Sequence, residues 1–256
     1  MSWVIVRYHP VTFFSLRPYN ATSSGGKTLI APTAFALKMA LLNATIQTAG
    51  LETGRERFPA IRDLAIALDL PDGITIMKSF AKIRRPARLG DPKTRNQTIA
   101  ALRDTKQYPF QATIAYREFV QFGDPLSMPL ENTIAVACAA SESASPPSWL
   151  VSTLRAINYL GKRGGFLQPI SAPDIVDTLD HRFTLITSDS SDFLMNSTLQ
   201  MLDDCGADMD FDQADIYSKK RITLGRERVL RHIALPYELT RSSRGYSLYE
   251  RIAGEE

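Results

Sequence analysis

The segment from Lys78 to Lys106 constrains the fold most, because it gathers nine lysines and arginines against only Asp91 and Asp104 and offers little apolar material to bury them. Its cations are Lys78, Lys82, Arg84, Arg85, Arg88, Lys93, Arg95, Arg103 and Lys106, a local charge of +7 in a chain whose total is +3. The remainder, 3 less 7, nets −4, so the basic character is local and not a general device for solubility. Pro86, Gly90 and Pro92 interrupt the stripe. It cannot be one regular amphipathic helix, since proline has no N–H to donate and its ring clashes with the preceding turn. The segment reads as an extended arm or loop, a shape suited to tracking a phosphate backbone, where each neutralised phosphate releases counterions. A solvated loop with no specific partner is the plain alternative.

At 256 residues the chain can bury a sizeable core, as one elaborated domain or two small ones. Its apolar fraction of 44% and charged fraction of 22% are ordinary for a soluble globular protein. Cys138 and Cys205 are the only cysteines, which argues against a disulfide framework or a thiolate metal site and for a reducing cytoplasm. The opening MSWVIVRYHPVTFFSL has no basic leader and does not read as a signal peptide, and no run approaches a bilayer-spanning length.

Along the chain, Trp3 to Leu16 reads as a first strand, followed by a turn-rich loop from Asn20 to Gly26. Phe35, Met39, Leu42 and Ile46 recur at helical spacing, with Thr33 as N-cap and Gly50 as stop. A second helix is expected over Pro59 to Leu68, and the Pro71-Asp72-Gly73 turn then feeds a strand from Ile74 to Phe80. Gln111 to Gln121 and Thr133 to Ala139 are β-rich runs joined around Gly123, Asp124 and Pro125, economically a hairpin. Ser145 to Ser148 is expected to cap a helix from Trp149 to Leu160 that ends at Gly161. Asp174 to Asp215 holds eleven aspartates with Arg182 as its only Lys or Arg, a net −10, while Lys219 to Arg251 is basic and strand-like. This order suggests an α+β sandwich of the split βαβ type with insertions.

Several short patterns bear on chemistry. Ala21-Thr-Ser-Ser-Gly-Gly26-Lys27-Thr28 satisfies a loose phosphate-loop pattern, which raises the reading of a P-loop ATPase. Pro32 stands against it: a true phosphate loop opens a helix at its Lys-Thr pair, and here the helical pattern starts only at Thr33. A turn that touches phosphate through Lys27 and its amides stays open beside it. Leu160-Gly161-Lys162-Arg163-Gly164-Gly165-Phe166 is a second glycine-rich basic loop, either a phosphate contact or simply a helix stop followed by a strand. Asp208, Asp210 and Asp212 suggest a calcium loop, but its sixth and twelfth positions are Gln213 and Lys219. Those aspartates read instead as helix caps, a solvated face or a surface for a basic partner. No Gly-x-Ser-x-Gly elbow is present, and His9, His181 and His232 are scattered. His9, at the end of the first strand, is the one candidate base for RNA cleavage, with packing at a strand edge as the alternative.

Together these residues resemble the CRISPR-associated subunit that caps the 5′ handle of the guide RNA in Cascade complexes, within the repeat-associated (RAMP) superfamily. The likeness is carried by Gly26-Lys27-Thr28 with Pro32-Thr33-Ala34-Phe35-Ala36-Leu37-Lys38, by Ala156-Ile157-Asn158-Tyr159-Leu160-Gly161-Lys162-Arg163-Gly164-Gly165, and by a basic insertion between early strands that looks like the family's thumb. It covers roughly Trp3 to Gln168. The resemblance implies a ferredoxin-like (RRM-like) RNA-binding domain over residues 1–170 with a protruding thumb at about 78–110; the β-rich remainder over 171–256, first acidic and then basic, departs from the compact members of the family and reads as an elaboration. It implies no cofactor, and as partners crRNA, the backbone and large subunits of Cascade, and target DNA in the assembled complex; the residues themselves point to no metal and no membrane. Carried to this sequence, the RNA contacts are Arg17, Tyr19, Lys27, Thr28, Lys78, Lys82, Arg84, Arg85, Arg88, Lys93, Arg95, Lys162, Arg163, Gly164 and Gly165. One branch of the superfamily cuts precursor RNA without metal, using a tyrosine, a lysine and a histidine. No convincing Lys-His pair is visible here, which favours binding without catalysis. Tyr8, Tyr19, Tyr108 and Tyr116 lie in or beside basic segments and are available to stack on splayed bases, with core packing as the alternative for two or more of them.

Overall fold

The computed structural model describes residues 2–19, 21, 26–123, 132–140, 145–161, 164–191 and 194–253. Lys162, Arg163, the Asp124-Pro125 turn, Asn20 and residues 22–25 of the first loop lie outside the described residues. In chain order the elements are β1 (Trp3–Pro10), α1 (Ala34–Ala49), α2 (Leu51–Arg62), β2 (Ala65–Asp69), β3 (Gly73–Pro86), α3 (Arg95–Asp104), β4 (Phe110–Phe122), β5 (Ile134–Ala139) and α4 (Ser148–Ala156). There follow β6 (Leu167–Pro169), β7 (Asp174–Val176), β8 (Thr184–Leu185), β9 (Thr198–Cys205), α5 (Phe211–Ala214), β10 (Arg228–Leu235), β11 (Tyr237–Ser242) and β12 (Tyr246–Arg251). The architecture is α+β with antiparallel pairing throughout its three sheets.

The first sheet runs β6-β1-β5-β2-β8, with β7 also paired to β1. On β1 the residues Val4, Val6 and Tyr8 are buried in alternation, and the Tyr8 hydroxyl donates to the Leu154 carbonyl of α4 at 2.6 Å. Every residue of β5 is buried, as expected for a strand flanked on both sides and covered on both faces. The α1 helix begins where its cap residue dictates: Thr33 Oγ1 accepts from the Ala36 N–H at 3.1 Å. It ends at Gly50, whose φ of +91° suits glycine and turns the chain straight into α2. On the buried side of α1, Lys38 Nζ meets Asp204 of β9 at 2.6 Å, so helix and β9–β10 ribbon are joined by an ion pair inside the core.

Several expectations need correction. The second helix lies earlier than Pro59 to Leu68, and Ala65–Asp69 is a strand inserted between β5 and β8. The runs Gln111 to Gln121 and Thr133 to Ala139 do not form a hairpin, because β4 pairs with β3 while β5 pairs with β1 and β2 in another sheet. The helix expected to end at Gly161 closes at Ala156 and has Pro147 at its N-cap, with no side-chain cap bond. The basic arm is more ordered than a loop: β3 continues to Pro86, and α3 follows Pro92 before β4 returns along β3. This long β3–β4 hairpin belongs to the sheet β11-β12-β3-β4. Among the described residues no helix is long and apolar enough to cross a membrane.

Candidate nucleic-acid interface

Charge pairing separates the molecule into two parts. The acidic segment 174–215 is met largely by the chain's own cations: Arg228 Nε donates to Asp203 at 2.6 Å, Lys220 reaches Asp210 at 2.6 Å and Asp212 at 3.2 Å, and Arg226 lies 3.1 Å from Asp208. Asp210 also caps α5, one of the roles the sequence left open for these aspartates. Arg182 and Arg251 close the C-terminal region onto the 69–72 turn, at 2.8 Å from Asp72 and from Asp69 respectively. Nothing comparable happens on the hairpin. Among the described residues, Lys82, Arg84, Arg85, Arg88, Lys93, Arg95, Arg103 and Lys106 form no ion pair, and all eight side chains are exposed. The positive charge concentrated there is not neutralised by the described residues.

The pleat sorts these cations. Cross-strand partners Lys82↔Ile114, Arg84↔Ala112 and Phe80↔Tyr116 place Phe80, Lys82, Arg84, Ile114 and Tyr116 on one face, while Arg85, opposite Gln111, points to the other. Nearer the body, the first of these faces carries Ile74, Ile76, Val120 and Phe122 and is buried in the core. Beyond the core the same face keeps apolar side chains between its cations, and they are open among the described residues: Phe80 and Ile114 are each 68% exposed and Phe110 is 48% exposed. Phe80 and Tyr116 pack with ring centroids 5.0 Å apart. Burial first, and then a hydrogen bond to the Glu118 carboxylate, pushes the Tyr116 phenol up to about 12, so the ring stays neutral at physiological pH. Alternating aromatic and basic side chains on an open strand face form the combination that holds single-stranded nucleic acid, stacking for the bases and charge for the backbone.

The Gly26-Lys27-Thr28 segment lies against the root of this hairpin. Glu118 N–H donates to the Gly26 carbonyl at 2.7 Å, and a Cβ at position 26 would stand 2.0 Å from the Tyr116 carbonyl oxygen, so only glycine fits. Thr28 is buried; its N–H donates to Glu118 Oε2 at 3.0 Å and its hydroxyl accepts from the Leu16 N–H at 2.9 Å. With that amide committed and the next helix opening only at Ala34, Lys27 and Thr28 do not open a helix as the pair of a phosphate loop does. Lys27 is exposed beside it.

Leu16 leads directly into a cleft of about 370 Å³ that includes Arg17, Thr33, Phe35, Tyr159, Gly161 and Arg228. Residues from the two sequence motifs around α1 and after α4 thus share one wall-to-wall site, with the Arg228 guanidinium 4.2 Å over the Phe35 ring. The glycine turn beside it is held by Thr12, whose hydroxyl donates to the Gly164 carbonyl at 2.5 Å and accepts from the Phe166 N–H at 2.9 Å. Gly164 is exposed, whereas Gly165 is packed so that a Cβ would meet the Leu160 carbonyl oxygen at 2.7 Å and the Phe14 ring at 2.9 Å. Tyr19 is exposed. Tyr8 belongs to the core, and Tyr108 lies half-buried with Arg103 5.3 Å over its ring. Lys78 is set apart from the other hairpin cations, for its ammonium is taken up by the turn between β11 and β12. His9 is paired opposite Gln168 within the sheet, and its Nδ1 is buried without a hydrogen-bond partner among the described residues. Sequence reasoning passed over Phe80, Phe110 and Ile114, although their spacing with Lys82 and Arg84 carries the period-two signal of one strand face.

No protein-family model and no curated protein matches the sequence. In three dimensions the chain is similar to a CRISPR protein from Archaeoglobus fulgidus, with 14% identity and a TM-score of 0.50 over 99% of this chain and 93% of that one. It is also similar to a chain of a CRISPR RNA-guided surveillance complex, at 13% identity and a TM-score of 0.43 over 91% of this chain and 90% of that chain. A chain of the Csm3-Csm4 subcomplex of the type III-A CRISPR-Cas interference complex matches at 11% identity and a TM-score of 0.36, over 98% of this chain and 94% of that chain. The likeness to the Archaeoglobus protein is one of fold.

Proposed function

We propose that the chain is a non-catalytic subunit of a crRNA-guided CRISPR surveillance complex of the Cascade kind. In this reading its body is a ferredoxin-like RNA-recognition domain and the β3–β4 hairpin is its thumb. The 5′ handle of the guide RNA runs from the Arg17–Tyr159 cleft along the Gly26–Thr28 segment to the open aromatic face of the hairpin. The backbone and large subunits of the complex are its protein partners. Target DNA is met only in the assembly. The observation that carries the proposal is the pairing pattern: Asp203, Asp204, Asp208, Asp210 and Asp212 of the acidic segment are met by the chain's own lysines and arginines, whereas eight hairpin cations have no carboxylate partner among the described residues and stand beside exposed aromatic rings. Phosphates supply the missing charge and unstacked bases the missing cover.

The test compares a guide RNA carrying its repeat-derived 5′ handle with the same RNA lacking it. The full chain binds the first more tightly, by a salt-dependent equilibrium, and leaves it uncut with or without magnesium. Equal affinity for both RNAs refutes handle recognition, and specific cleavage lost in His9→Ala identifies a processing endoribonuclease instead.

A further inference from the structure

At the root of the hairpin a second feature adjoins the aromatic face. The turn between β11 and β12 stands next to Phe80 and Tyr116, and Lys78 fixes it there. Lys78 Nζ donates to Ser242 Oγ at 3.3 Å, to the Ser243 carbonyl at 3.1 Å and to the Tyr246 carbonyl at 3.4 Å, and the Lys78 N–H donates to the Gly245 carbonyl at 2.7 Å. An ammonium has three N–H donors, and here all three hold the turn. The result is an open cleft of about 640 Å³ with Phe80 and Tyr116 on one side and Ser243, Arg244 and Gly245 on the other. Arg244 is exposed and makes no ion pair among the described residues.

We propose that this cleft receives one unpaired base of a single-stranded RNA, stacked on Phe80 and Tyr116, with Arg244 on the adjoining phosphate. The site rests on the RNA-binding reading above and adds a contact from the C-terminal part of the chain that the sequence motifs do not reach. Its chemistry selects the occupant. The rings 5.0 Å apart, one of them 68% exposed, present a π surface that any base can cover. The charges around them, on Lys82, Arg84 and Arg244, are all positive. Glu118 does not line the cleft; it is buried and accepts from the Tyr116 hydroxyl and the Thr28 N–H. A duplex keeps its bases stacked on one another and cannot offer one to the rings, whereas a splayed single strand can. The cleft is within the size range of small-ligand sites, about 300–1,000 Å³.

The experiment uses the full chain and a handle-containing guide RNA with 2-aminopurine at successive handle positions. One position is quenched on binding to the wild type. Phe80→Ala abolishes that quenching and weakens binding about five- to 150-fold, the range for losing one base–aromatic stack, without altering the salt slope. Phe80→Trp restores both. Arg244→Ala lowers the salt slope by about 0.7, as for one phosphate on a single strand, and keeps the quenching. Because Phe80 and Arg244 are exposed, thermal melts of the variants match the wild type. If Phe80→Ala binds and quenches like the wild type while Arg84→Ala still weakens the complex, the cleft assignment is overturned and the RNA-binding role survives. If the wild type binds no guide RNA, both fall. If Phe80→Ala leaves RNA binding intact but detaches another protein subunit, the cleft is a protein interface and the proposal is wrong.

Discussion

Because Arg84 and Arg85 are neighbours on opposite faces of β3, they allow a test in which the cations of one face are removed and a cation of the other face serves as the control. Lys82 and Arg84 share the face of Phe80 and Ile114, and neither they nor Arg85 has a carboxylate partner among the described residues. If the guide lies on that face, Lys82→Ala with Arg84→Ala removes two phosphate contacts. At about 0.7 per contact on a single strand, the slope of log K against log salt becomes shallower by about 1.4. Between about 50 and about 200 mM salt the wild type then loses about sevenfold more affinity than the double variant. Arg85→Ala leaves the slope where it was. The substitutions sit on exposed, unpartnered positions, where stability changes stay within about 0.5 kcal/mol, so melting curves overlay and a binding loss is not a folding loss. Fluorescence anisotropy with a labelled guide across a salt series reads the slopes directly. An unchanged slope in the double variant, or an equal fall in Arg85→Ala, refutes the placement of RNA on the aromatic face.

Further predictions follow from packing. Lys38→Ala or Asp204→Ala, breaking the buried 2.6 Å pair, destabilises the fold by about 3–5 kcal/mol, whereas an apolar pair at both positions is far better tolerated in chemical denaturation. Gly165→Val lowers the melting temperature because its side chain runs into the Phe14 ring and the Leu160 carbonyl, while Gly164→Ala, in open space but at φ +125°, costs only the backbone strain. Cys138 and Cys205 are buried and desolvation pushes each thiol up to about 12, so the native chain gives no fast reaction with a disulfide reagent at neutral pH and the unfolded chain reacts at both sites.

Where a local signal settles the structure, the sequence was sufficient. Thr33 and Gly50 bracket α1 because an N-cap oxygen and a glycine able to take positive φ are properties of single residues. Leu64 to Leu70 misled because a short apolar run reads alike as the end of a helix and as a strand covered on both faces; its place between β5 and β8 is decided by partners far along the chain. The same holds for β4, which pairs back to β3 across α3 and not forward to β5. In the basic arm Pro86, Gly90 and Pro92 were correct as breakers, but all three precede α3, which then has room to form from Arg95. The unpaired charge of the arm was legible from composition. The cleft at its root was not, since Arg244 reaches Phe80 only through the pairing of β12 with β3.

The central claim is that this chain sits on the 5′ handle of a guide RNA within a larger complex. Purifying the tagged protein from its own cells after crosslinking, and sequencing the RNA fragments bonded to it, tests this most directly. Handle binding predicts fragments that share one repeat-derived 5′ end, crosslinked through the β3–β4 hairpin, with the protein present once per ribonucleoprotein. Fragments of unrelated sequence, or a protein recovered without RNA, contradict it.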